Sequence, residues 1–237
     1  MKPWENIDRA RAPDGTELIL ARRGDEWVVR EGGRVLMSSR MHGSEEALAT
    51  LALERVPHPR TVLIGGLGLG FTLRATLDLL GTDARVIVAE MVPELVAWNR
   101  GPVADLAGRP LEDPRVRLQM GDVSARIAEA RSAYDAILLD VDNGPSALNH
   151  AANSVLYDAK GIARCRDALR AGGVLAVWAA GSDDRYLERL ENAGFEAQAR
   201  IVPARGSGQG GVRHVIFVAA KQAARAAPRQ NAPPRRR

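Results

Sequence analysis

Four glycines in six residues, Gly65-Gly66-Leu67-Gly68-Leu69-Gly70, directly follow the apolar run Val62-Leu63-Ile64. Backbone without Cβ atoms admits a ligand close to the main chain, and a helix starting near Gly70 aims its free N–H groups at the same place. Three carboxylates stand in comparable positions further on: Glu90 closes VIVAE, Asp122 closes VRLQMGD and Asp140 closes YDAILLD. Carboxylates so placed accept hydrogen bonds from sugar hydroxyls, from an adenine amino group and from an ammonium. Phosphate is the wrong partner for this set. The spacing is G-x-G-x-G, Phe71 stands where a dinucleotide fingerprint needs its third small residue, and the loop holds no Lys or Arg. A nucleoside without phosphates and with a cationic tail suits these groups, and S-adenosylmethionine is such a molecule.

A scaffold must bring those strand ends to one edge. From Thr61 onward, apolar runs (TVLIGG, RVIVAE, VRLQMGD, YDAILLD, GVLAVWA) alternate with helical stretches around 71–80, 93–100, 123–131 and 155–170. Continuous rather than alternating apolar strands are buried on both faces, which predicts a parallel sheet covered by helices. After YLERLENAGF come two last strands, 195–202 and 213–220, joined by the glycine-rich ARGSGQGG as a closing hairpin. Ahead of this region TELILARR, EWVVRE and RVLMS read as short strands, separated by Gly24-Asp25 and Gly32-Gly33, which suit two-residue hairpin turns. Ser44 is placed to cap a helix that begins at Glu45 and stops before Pro57. The expected fold is α/β: a Rossmann-like, doubly wound, mostly parallel seven-stranded sheet preceded by a small antiparallel β unit. The expected divisions are 1–43 for that unit, 44–220 for the α/β domain and 221–237 for a disordered basic tail.

Composition narrows the classes of function. The 237 residues suffice for one large domain with an extension. The sequence pI near 9.7 invites a nucleic-acid reading, but the tail KQAARAAPRQNAPPRRR alone holds six of the 33 Lys and Arg. The rest sets 27 basic residues against 29 acids, a body charge of about −2. Nucleic acid is therefore expected to bind only weakly, through the tail. Cys165 is the single cysteine, so no internal disulfide forms, and it reads as a small buried residue. The N-terminal MKPWENIDRARAPDG lacks the apolar core of a signal peptide, and no apolar run approaches the roughly 20 residues of a membrane span. A cytoplasmic protein without membrane contact is expected. The four histidines are scattered without metal-ligand spacing, and no metal is expected.

Taken together, HPRTVLIGGLGLG, VIVAEMVPELVAWNR, EDPRVRLQMGDV, YDAILLDVDNGPSAL and LYDAKGIARCRDALRAGGVLAVW resemble the class I S-adenosylmethionine-dependent transferases, and more narrowly the spermidine synthase family. The resemblance runs from about Val35 to Val177 and implies the class I methyltransferase fold. It implies that Gly65, Gly66, Gly68 and Gly70 pass beneath the methionine portion and that Glu90, with Met91 beside it, holds the ribose. Asp122 and Val123 would read the adenine, and Asp140 would face the amino group or the incoming nucleophile. The departures are specific. The family's loop reads G-G-G-D-G-G, and Gly68 stands where its aspartate binds an aminopropyl amine. The family's D-S-x-D-P-x-G-P shortens to DVDNGP, leaving Asp142 as stand-in for the second aspartate. The Tyr-His pair before the first helix becomes Ser44-Glu45.

The polyamine-binding set is thus mostly replaced while the nucleoside-binding set is intact, and the leading expectation is a small-molecule methyltransferase on a spermidine-synthase-like scaffold. Asp140 and Asp142 are its candidate catalytic residues, positioning an acceptor or taking its proton. His42, Glu45 and Asn143 are assigned to the acceptor, a small molecule with an amine as the case considered. The alternative is a polyamine aminopropyltransferase using decarboxylated S-adenosylmethionine. A third class is a scaffold protein that binds the nucleoside without turnover. Resemblance to a dimer-forming family and the exposed edges of the N-terminal β unit predict a homodimer.

Overall fold

The computed structural model describes residues 2–141, 144–145, 154–205 and 211–222. Asp142, Asn143, His150 and most of the basic tail lie outside them. The chain opens with an antiparallel four-stranded sheet of β1 (Glu5–Arg11), β2 (Glu17–Arg23), β3 (Glu26–Glu31) and β4 (Arg34–Ser38), paired in that order. Gly24 and the pair Gly32-Gly33 adopt positive φ in the turns around β3, as the hairpins require. β1 was not foreseen. Its sequence ENIDRAR has no apolar alternation and all but Ala10 is exposed, so only its pairing with β2 makes it a strand.

Helix α1 (Gly43–Leu53) leads into the larger sheet. The cap expected at Ser44 is not there: the helix starts at Gly43, and His42 stands at the cap position without a side-chain cap bond. The Ser44 hydroxyl turns instead to its neighbour Glu45.

The larger sheet contains β5 (Thr61–Gly65), β6 (Arg85–Glu90), β7 (Val116–Met120), β8 (Tyr134–Leu139), β9 (Leu169–Ala179), β10 (Phe195–Pro203) and β11 (Arg213–Lys221), in the spatial order β10-β11-β9-β8-β5-β6-β7. β5 through β9 are parallel, while β11 is antiparallel to β9 and closes a hairpin with β10. The order reverses between β5 and β8, which makes a crevice at their carboxyl ends. Successive residues of each strand serve opposite cores. Val62 and Ile64 face one core with Leu48 of α1 and with Leu73 and Leu77 of α2 (Phe71–Leu79), whereas Leu63 faces the other with Ile162 and Cys165 of α6 (Ala159–Ala168). The short α5 (Ser154–Tyr157) precedes α6; α4 (Val123–Glu129) and α7 (Asp184–Asn192) complete that second layer.

A third core joins the small sheet to the large domain. Leu18, Leu20 and Val29 pack with Leu69, Phe71 and Trp98, the last from α3 (Pro93–Arg100). Trp98 is 1% exposed, and its indole N–H donates to Asp8 Oδ2 at 2.7 Å, which holds that carboxyl below its usual range. Cys165 is buried as expected, and burial pushes its thiol up to about 12. Among the described residues no helix is long and apolar enough to cross a membrane.

Candidate active site

The glycine loop leaves β5 at the point of strand-order reversal and ends at Gly70, the cap position of α2. Gly66, Gly68 and Gly70 all take positive φ, where other residues are strained. Two of them also make room for the protein itself: a Cβ on Gly66 would lie 2.2 Å from the Asp140 carbonyl oxygen, and one on Gly70 would lie 2.8 Å from Asn99 Oδ1. Gly65 has no such φ but lies under the methyl groups of Val123. Gly68 alone of the four lines an open space, with Met37 Sδ as the only near atom. The loop is further pinned by Asn99, whose Nδ2 donates to the Gly68 carbonyl at 2.8 Å and to Leu95 O at 2.9 Å.

Glu90 sits at the end of β6, beside the loop. Its Oε2 accepts from the Leu67 N–H at 2.8 Å, and its Oε1 accepts from the N–H groups of Met91 and Val92 at 2.7 Å each. Burial pushes its proton affinity up while these three donors oppose it. The carboxylate therefore shapes the loop, a role its strand-end position did not reveal. Asp122 caps α4, accepting from the Ser124 N–H at 2.7 Å and from the Ser124 hydroxyl. Val123 is buried against Gly65, and the Met91 side chain is exposed.

Asp140 stands immediately past the end of β8, its N–H bonded to the Gly65 carbonyl at 2.9 Å and its Oδ2 accepting from Thr72 Oγ1 at 2.7 Å. With Glu45, Gly68, Thr72, Met37 and Trp178 it lines a cavity of about 90 Å³. That volume takes the reacting end of a ligand rather than a whole nucleoside. Glu45 is partly buried there, and desolvation together with the charge of Asp140 pushes its carboxyl up to about 8. Glu45 therefore keeps its proton near neutrality beside the charge of Asp140, and a cation entering that space lets both ionise. Among the described residues no Lys or Arg lines the cavity.

Of the residues singled out from the sequence, the structure thus brings Glu45, Gly68 and Asp140 to one cavity. His42 goes elsewhere: its ring stacks on Phe71 at 4.1 Å, Nδ1 meets Glu46 at 2.8 Å, and it lines a separate surface hollow with Arg40 and Arg74. Sequence reasoning missed Thr72 and Met37, which carry no motif of their own. Trp178 of β9 also lines the cavity, and its indole N–H is buried without a hydrogen-bond partner among the described residues. Among the described residues no three His, Cys, Asp or Glu gather as a metal site would.

A family model, the spermine/spermidine synthase domain, matches residues 41–189. Putrescine N-methyltransferase 4 of Nicotiana tabacum is 33% identical over 137 residues, 56% of this chain and 33% of that protein. Polyamine aminopropyltransferase 2 of Pseudomonas aeruginosa is 32% identical over 176 residues, 73% of this chain and 43% of that protein. The chain spans between a third and a half of the length of these curated relatives. Among solved structures, a spermidine synthase in complex with the transition state analogue AdoDATO is similar with a TM-score of 0.73 at 18% identity, covering 94% of this chain and 75% of that one. The spermidine synthase of Thermotoga maritima is similar with a TM-score of 0.72 at 17% identity, covering 92% and 73%. Those two likenesses are of fold, and they include the small leading sheet as well as the seven-stranded one. Because the family match covers more than half of the sequence and takes in the glycine loop, Glu90, Asp122 and Asp140, this chain belongs to the spermine/spermidine synthase family.

Proposed function

We propose that this protein transfers an alkyl group from an adenosyl sulfonium donor to an amine, and that the group transferred is aminopropyl, from decarboxylated S-adenosylmethionine to a polyamine-type acceptor. The observation that carries the reading is the pairing of Glu45 with Asp140 in a cavity that, among the described residues, no Lys or Arg enters. A donor that keeps its α-carboxylate would meet two acids there with no side-chain cation to offset it; a donor and acceptor bearing only amines would be held by both. The order of the two chemistries expected from sequence, methyl before aminopropyl, is reversed on this ground. Curated relatives of both kinds match the chain.

The donor fits the residues present. Gly68 admits it to the backbone, Glu90 would take the ribose hydroxyls by sharing or exchanging its bond to the Leu67 N–H, and Asp122 with Val123 would meet the adenine. The sulfonium supplies an activated carbon and a neutral thioether leaving group. Alignment of the nucleophile and exclusion of water then fall to the protein. Asp140, held by Thr72, orients the acceptor ammonium, and Glu45 takes its proton so that the nitrogen lone pair is free to form the new N–C bond as the S–C bond breaks. One proton leaves the acceptor for each group transferred.

Methyl transfer is the second reading, favoured by Gly68, which stands where the family's loop aspartate would hold an aminopropyl amine. Incubation with putrescine and either S-adenosylmethionine or its decarboxylated form separates the two. 5′-Methylthioadenosine from the decarboxylated donor is the expected product; S-adenosylhomocysteine from the intact donor would overturn the aminopropyl assignment, and no product from either donor with a panel of amines would overturn the transferase reading.

A further inference from the structure

Glu45 is not isolated from the surface. Its Oε2 accepts from the Ser44 hydroxyl at 2.7 Å, and the same Ser44 Oγ lies 2.8 Å from Nδ1 of His214. Ser44 is fully buried, while His214, near the start of β11, is only partly so. The three residues therefore form a continuous hydrogen-bonded chain leading outward from the cavity. Two further contacts hold its parts in register. The Gly43 N–H donates to the Ala204 carbonyl at 2.8 Å, tying the start of α1 to the end of β10, and the His214 ring packs against Trp178 at 4.5 Å.

The chemistry of each link suits proton movement. A hydroxyl can accept on one side while donating on the other by rotating its single hydrogen, and a neutral imidazole accepts at one nitrogen while holding a hydrogen on the other. Among the described residues, Asp140 and Glu46 act on Glu45 by their charge, Thr72 donates to Asp140, and burial pushes the His214 imidazole's proton affinity down. With the cavity empty near neutrality Glu45 holds a proton and His214 is neutral; entry of a cation lets Glu45 ionise, and once it has taken the amine's proton the same arrangement lets that proton step toward His214.

We infer that Ser44 and His214 form the exit path for the proton that Glu45 takes from the acceptor amine. The Ser44 hydroxyl first rotates from Glu45 toward an unprotonated His214 Nδ1; Glu45 O–H then passes its hydrogen to Ser44 Oγ as the Ser44 hydrogen passes to His214 Nδ1, and the imidazolium releases the hydrogen on Nε2 to water. One proton enters the chain and one leaves it, and Ser44 and His214 return to their starting forms by rotation and by tautomer exchange. Both are positioning residues that act through Glu45. The inference rests on the amine-alkylation reading for its purpose, but the hydrogen-bonded coupling can be read without turnover.

Two measurements test it together. In the first, ring nitrogens of His214 are followed by ¹⁵N NMR across pH in the native chain, in Ser44→Ala and in Glu45→Gln. A second inflection at the Glu45 titration, about pH 8, is expected in the native chain and in neither variant; a native profile without it overturns the path. In the second, His214→Asn and His214→Gln are assayed with decarboxylated S-adenosylmethionine and putrescine. A fall of about 10-fold in kcat at pH 7 with KM unchanged, relieved by added imidazole, is expected of a lost proton carrier. Unchanged kcat, or a loss that imidazole does not relieve in either variant, overturns it. If the native chain turns over no sulfonium donor, the proposed function falls, and the NMR result decides the coupling by itself.

Discussion

Replacing Glu45 by Gln removes an ionisable group from a site where ionisation is penalised, and the effect on stability follows from the titration. The unfolded carboxyl titrates near 4.5, while in the folded protein desolvation and the charge of Asp140 push it up to about 8. Between these values the folded chain holds a proton that the unfolded chain has released, so native stability falls as pH rises through the window and is lowest above pH 8. A displacement of that size corresponds to about 5 kcal/mol at the upper end, and relaxation with partial solvent access reduces it to about 2–3 kcal/mol. Glu45→Gln keeps the amide oxygen as acceptor for the Ser44 hydroxyl but cannot ionise. The variant should match the native chain near pH 4.5 and become progressively more stable than it, reaching about 2–3 kcal/mol, or roughly 5–10 °C in Tm, at pH 8.5. Urea denaturation followed by circular dichroism at pH 5, 6, 7, 8 and 9 reads this directly. Parallel stability curves for the two proteins would refute the claim that Glu45 and Asp140 share one desolvated space.

The glycine loop makes a graded prediction. Gly66→Ala should cost about 3 kcal/mol or more, since its Cβ would meet the Asp140 carbonyl at 2.2 Å, whereas Gly68→Ala, with nothing nearer than Met37 Sδ at 3.5 Å, should cost only the strain of its positive φ, about 1 kcal/mol; denaturant midpoints distinguish them. Asn99→Ala deletes the bond that pins the loop at Gly68 together with the bond back to Leu95 in its own helix, and should destabilise by about 1–3 kcal/mol, with a roughly tenfold weaker affinity for the adenosyl donor by calorimetry. Trp98→Phe keeps the apolar ring but loses the bond to Asp8; hydrogen exchange should show lost protection in β1 and β2 at a cost of about 1–2 kcal/mol, while β5 and β8 stay protected.

The sheet was legible because its strands carry the signal in every residue. Runs such as Val62-Leu63-Ile64 and Ile137-Leu138-Leu139 must be apolar throughout when both faces are covered, and the structure sends alternate residues into two separate cores. Each of the glycine loop, Glu90, Asp122 and Asp140 was recognisable from its place at the end of such a run. β1 was not legible, because an edge strand with polar residues on both faces differs from a loop only through its partner. Ser44 was misread for a related reason. A serine beside two glutamates at a helix start looks like a cap, but the half-buried imidazole of His214 and the adjacent carboxyl compete for its hydroxyl.

By itself the sequence determined which elements form and which chemical groups stand at their ends, since both depend on residues adjacent in the chain and on the period of the structure they adopt. Only the tertiary structure decided what those groups do to one another. It placed Glu45 against Asp140 while sending the nearby His42 to another hollow, and it gave Glu90 three backbone donors. The physical reason is range. Backbone preference is local, whereas desolvation and charge coupling belong to whatever the fold brings within a few ångströms, and the chain between Glu45 and Asp140 carries no record of that distance.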